Sequence, residues 1–121
     1  MPLSPTQRTL RALRDRGLHV GIVERFNRYA GPHGVRQDLF GFIDLVAIDV
    51  DSILAIQSCG QSFAAHDRKI REECGEKAAA WLAAGGALEL WGWRKVKRKR
   101  GGKVMVWSPR VKRYAPADFV S

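Results

Sequence analysis

Apolar residues recur along the chain in blocks whose spacing switches between that of a helix and that of a strand. Leu10 and Leu13 mark the buried stripe of a first helix, predicted over Pro5 to Arg16. Ser4 is placed to cap it, Pro5 fits the first helical position, Gln7 completes a capping box and Gly17 supplies the stop. HVGIVERFN then changes to period two, with Val20, Ile22, Glu24 and Phe26 on one face, and reads as a strand. The turn cluster RYAGPHG leads into a second strand predicted from about Leu39 to Ile48. Asp49 to Ser52 is a short acidic turn, and ILAIQSC is the third strand, on which Ile53, Ala55, Gln57 and Cys59 share a face. Ser62 opens a helix through FAAHDRKIREE that breaks near Cys74 and Gly75, and a further helical stretch ends at Gly85 and Gly86. ALELWGWRKV and KVMVWSP form a closing hairpin. The order of helix, three strands, helix and two strands predicts an α/β domain with a mixed central sheet.

At 121 residues and 45% hydrophobic, the chain fits one domain, 1–121, with an ordinary core. It has no long apolar run and no signal-like N-terminus, so the expectation is a soluble, cytoplasmic protein. Cys59 and Cys74 lack CxxC spacing and the histidines are scattered, which argues against a structural zinc site. Charge changes the picture more. The formal net charge is +9, and the segment RKVKRKRGGKVMVWSPRVKR, Arg94 to Arg113, holds ten cations and no acid. Such a face attracts polyanions, and DNA is the first partner to consider. Lys95, Lys97, Arg98, Lys99, Arg100 and Lys103, with Arg36 and Arg68, are the candidate DNA contacts. A solvated basic hairpin that only keeps the chain soluble is the simpler alternative.

Candidate chemistry starts from Asp44, a carboxylate between Ile43 and Leu45 in the apolar second strand. Burying an ionised carboxylate costs several kcal/mol unless a cation, metal or hydrogen bonds meet it. Arg36 or Arg25 can meet it as a plain salt bridge. Gln57 and Cys59 on the adjacent strand fall at matching depth, so three side chains can converge at one end of the sheet.

In this respect the chain resembles the PD-(D/E)XK nuclease superfamily, whose core is a helix, three strands, a helix and a strand. RQDLFGFIDLVAI, ILAIQSCG, HDRKI and GGALELWGWRKV look like small phage and bacterial proteins of this type, relatives of the archaeal-type Holliday junction resolvases. The resemblance implies a restriction-endonuclease-like core and a Mg²⁺ site, with Mn²⁺ as a substitute. It matches Asp44 to the strand-two ligand, Gln57 to the second acid, Ser58 to the residue lending its carbonyl, Cys59 to the lysine, and Gln7 to an acid sometimes found in the first helix. Dimers are common among the resolvase-like relatives. Gln57 and Cys59 depart from the motif: an amide oxygen replaces a carboxylate, and a thiol cannot act as an ammonium at neutral pH. Glu24 or Asp38 can supply the missing acid, Lys69 or Arg68 the missing cation, and His66 a general base.

Three functions follow as alternatives: a metal-dependent endodeoxyribonuclease acting on branched or structured DNA, in the setting of recombination or repair; a nuclease-like module that binds DNA without cleaving it; and a basic protein that meets an acidic partner. Trp91, Trp93 and Trp107 of the hairpin, with Trp81, either stack on unpaired bases or pack in the core or a subunit interface.

Overall fold

The capping signals place the first helix correctly. α1 spans Pro5–Asp15, Ser4 Oγ accepts the Gln7 N–H, and Gln7 Oε1 accepts the Ser4 N–H. Gly17, at φ 87°, makes the left-handed turn that ends it. The computed structural model describes residues 3–119. Seven strands follow: β1 His19–Ile22, β2 Arg25–Asn27, β3 Val35–Gln37, β4 Leu45–Ile48, β5 Ile53–Cys59, β6 Ala87–Lys97 and β7 Met105–Arg113. Between β5 and β6 lie α2, Phe63–Arg68, and α3, Gly75–Ala83, joined by a π-helical turn over Lys69–Glu73. A short 3₁₀ turn, Pro116–Phe119, closes the described chain.

The architecture is α/β, with a mixed five-stranded sheet in the order β1-β4-β5-β6-β7. β5 and β6 are parallel and the remaining neighbours antiparallel. Alternation along β5 divides the core. Leu54 and Ile56 pack with Leu13 of α1, Leu45, Ala47, Trp91 and Trp93 on one face. Ala55 and Cys59 pack with Phe63, Ile70, Cys74 and Ala78 of the α2–α3 region on the other. No helix among the described residues is long and apolar enough to cross a membrane.

Two strand predictions are corrected. HVGIVERFN is not continuous, because β1 ends at Ile22 and β2 pairs with β3 in a separate two-stranded ribbon around the RYAGPHG turn. The break falls where the Val23 and Glu24 N–H groups both donate to the Asp44 carbonyl, at 2.9 and 3.3 Å, which diverts the chain. Regular pairing of the second predicted strand starts only at Leu45. Leu39 and Ile43 close a tight loop on each other instead, through Phe40 at φ 57° and Gly41 at φ 85°.

A buried polar contact ties α1 to the sheet. Thr9 Oγ1 accepts the Trp93 indole N–H at 2.8 Å and the Ser58 hydroxyl at 2.9 Å, and donates to the Pro5 carbonyl. Thr9→Val leaves two buried donors without an acceptor, so it is expected to destabilise the protein by about 1–3 kcal/mol. Denaturant unfolding that moves by less than a few tenths of a kcal/mol would show the contact to be incidental.

Candidate functional site

Asp44 sits at the rung where β4 begins. Its N–H still donates to the Ile56 carbonyl at 2.9 Å, but its side chain replaces the next backbone partner of β5: Asp44 Oδ2 accepts the Ser58 N–H at 2.8 Å. The same oxygen accepts the Gln57 amide Nε2 at 3.0 Å. The carboxylate in an apolar strand is thus a backbone substitute, pinned by two donors at the C-terminal end of β5. No arginine pairs with it among the described residues; Arg36 lies 3.7 Å from Glu24 instead.

The loop closed by Leu39 and Ile43 brings its two flanking residues, Asp38 and Asp44, side by side. Asp38 Oδ2 lies 3.4 Å from Gln57 Nε2, and the break after β1 delivers Glu24 to the same place. Carboxylate oxygens of Glu24, Asp38 and Asp44 all lie within 4.8 Å of one another. They line an open cleft of about 320 Å³ with Ser4, Pro5, Thr6, Arg36, Gln57 and Ser58. Sequence reasoning offered Glu24 and Asp38 as substitutes for each other, whereas the fold brings both to Asp44.

Three carboxylates beside one exposed arginine are short of positive charge. The Asp44 carboxyl is pushed up to about 8, first by burial, then by a hydrogen bond that its protonated form shares with Asp38, and by the charges of Asp38 and Glu24; the Ser58 N–H works the other way. Gln57 carries a second sign of strain: its Oε1 is buried without a hydrogen-bond partner among the described residues, while Nε2 faces the acids. Turning the amide over exchanges the two atoms and sets an oxygen toward Asp38 and Asp44, an arrangement that a cation between them, or a proton on Asp44, makes favourable. The donor set is all oxygen and hard, which fits Mg²⁺ or Mn²⁺ and not zinc.

The remaining candidates are placed differently. Cys59 does not line the cleft: only 4% exposed, it packs in the apolar core, and burial followed by the Asp44 charge pushes its thiol up to about 11. It is a core residue at the position the resemblance gives to lysine. Ser58 meets Asp44 through its N–H, and its hydroxyl goes to Thr9. Lys69 lines a neighbouring open cleft of about 640 Å³ that shares Arg36 and Asp38 with the first. Arg68 is exposed on α2. His66 Nδ1 is held by Ser62, 3.0 Å from its hydroxyl, and His66 does not line the acidic cleft. Gln7 is engaged in the capping box.

The basic hairpin leaves the sheet at the same end. Cys59 pairs with Gly92, and β6 continues for five residues beyond that rung, about 17 Å at the usual rise. The turn between Lys97 and Met105 carries Arg98, Lys99, Arg100 and Lys103, all exposed. Trp91 and Trp93 are buried, and the Trp81 indole N–H donates to the Ala87 carbonyl at 2.7 Å. Ser4, Pro5 and Thr6 at the N-terminus of α1 also line the cleft, so the partial positive charge of that helix end lies beside the acids. Acids, helix end and basic hairpin therefore share one end of the sheet. No protein-family model, curated protein or solved structure matches the chain.

Proposed function

We propose that the protein is a metal-dependent endodeoxyribonuclease on a PD-(D/E)XK-like core, acting on branched or structured DNA. The observation that carries this reading is the convergence of the Glu24, Asp38 and Asp44 carboxylates around the Gln57 amide, at the end of the sheet from which the cationic hairpin extends. Glu24, Asp38, Asp44 and Gln57 would hold a divalent cation, which supplies charge neutralisation at the phosphoryl group and activation of water. Ser58 and the strand register keep Asp44 from swinging away. Arg36, at the rim between the two clefts, and Lys69 in the second are the cations that can meet non-bridging phosphate oxygens. Lys95, Lys97 and the turn from Arg98 to Lys103 hold the duplex arms by their phosphates, without reading sequence.

One observation favours a second reading, DNA binding without cleavage. Cys59 stands buried at the position of the family lysine, and no lysine lines the acidic cleft among the described residues. Incubating purified protein with a labelled four-way junction and a matched duplex, in Mg²⁺, Mn²⁺ or chelator, separates the two. Metal-dependent cuts near the branch point are expected. A junction that is bound but stays intact in both metals leaves only the binding module.

A further inference from the structure

The hairpin buries two of its tryptophans and leaves the third partly exposed. Trp107 is 42% exposed, opposite Lys95 in the β6–β7 register. The Arg8 guanidinium lies 4.0 Å from its ring centroid and the Lys95 ammonium 5.4 Å away. Val104, Met105 and Val106 beside it are exposed as well. A flat apolar surface is therefore set among cations, at the base of a turn bearing Arg98, Lys99, Arg100 and Lys103. The cations disfavour a basic partner and select a polyanion, and the part of the indole that Arg8 leaves uncovered suits a flat ring. A nucleotide combines an anion with a flat ring.

We propose that Trp107, with Arg8 and Lys95, is a stacking platform for an unpaired nucleobase, so that the substrate includes a single-stranded segment. Bases inside a duplex have both faces covered by their neighbours and cannot reach the indole without unstacking. Arg8 belongs to the helix whose first turn, Ser4 to Thr6, lines the acidic cleft. The strand whose base stacks on Trp107 is thereby led toward that cleft. The proposal rests on the nucleic-acid reading of the basic face and is independent of the metal site.

Binding in chelator, so that nothing is cut, tests it with a short oligothymidylate, an abasic strand of equal length and a matched duplex. Oligothymidylate is expected to quench the exposed tryptophan fluorescence of the full chain. Trp107→Ala should lose that quenching and weaken oligothymidylate binding about tenfold, leaving the abasic strand and the duplex unchanged. Trp107→Phe, which keeps a ring, should retain most of the affinity. An equal loss on the abasic strand would overturn the proposal, because Trp107 would then serve only to arrange Arg8 and Lys95 for phosphates. So would undiminished oligothymidylate binding by Trp107→Ala. If the wild-type protein binds none of the three, this inference and the nucleic-acid reading fall together, whereas binding without metal-dependent cleavage removes the nuclease reading alone.

Discussion

Asp44→Asn is expected to stabilise the metal-free protein above neutral pH and to remove metal-dependent cleavage, by about 10³-fold or more if the site supplies several kcal/mol of charge stabilisation. The carboxyl titrates at its ordinary value of 3.8 in the unfolded chain and is pushed up to about 8 on folding, chiefly by burial. Between those values the folded protein holds a proton that the unfolded chain has released. This contribution to stability is present in full below pH 3.8 and is lost as pH rises through 8, at up to about 1.4 kcal/mol per pH unit. Asparagine keeps an oxygen for the Ser58 N–H and carries no charge, so the variant escapes the loss. In chelator at pH 8 it should be more stable by a few kcal/mol, with a melting temperature several degrees higher, and at pH 4 the two proteins should coincide. Mg²⁺ or Mn²⁺ should raise the melting temperature of the wild type more than that of the variant, which keeps Glu24 and Asp38 but has lost the Asp44 charge. A variant less stable than the wild type at pH 8 would mean that the two donors on Asp44 outweigh its burial, and the charge shortage that motivates a cation would be gone. Cleavage persisting in the variant would remove Asp44 from the metal-binding set.

How much of this was legible in the sequence depends on how local the controlling interaction is. The capping box around Ser4 and Gln7, the third strand and the basic hairpin depend on neighbours within a few residues, and the structure contains them. Asp44 and Gln57 were also readable, because a charge in an apolar strand needs a partner and strand alternation places one. Period two, by contrast, sees only one strand and says nothing about where pairing stops. The break at Val23–Glu24 and the loop through Phe40 are set by contacts to Asp44 and Ile43, and neither has a local signal beyond Gly41. Those two irregularities are what bring Glu24 and Asp38 to the site. The same alternation put Cys59 on the Gln57 face correctly but could not tell cleft from core, a difference decided by Phe63, Ile70 and Cys74 packing over it. Thr9 carries no local signal of its role, since its partners Ser58 and Trp93 lie far away in sequence.

Replacing Arg98, Lys99, Arg100 and Lys103 together by glutamine should separate grip from chemistry. All four side chains are exposed in a turn outside both core clusters, so folding should be unaffected. Each phosphate contact contributes about 0.9 to the slope of log affinity against log salt, so losing four should flatten that slope by about 3 to 4. At moderate salt the affinity for junction and duplex should fall on the order of 10²- to 10³-fold, with both substrates affected alike because phosphate contacts carry no sequence or structure reading. In chelator above pH 8, where Asp44 is ionised, Asp44→Asn should move the other way and bind slightly tighter, since it removes negative charge from the cleft; below that pH the two should bind alike. With DNA far above its dissociation constant, the hairpin variant should still cut, because Glu24, Asp38, Asp44 and Gln57 are untouched. A hairpin variant that keeps its affinity and salt slope would place the DNA elsewhere on the molecule, with Arg25, Arg36 and Lys69 of the larger cleft as the next cations to replace. One that binds saturating DNA yet cannot cut would mean that the turn also positions the scissile strand over the acids.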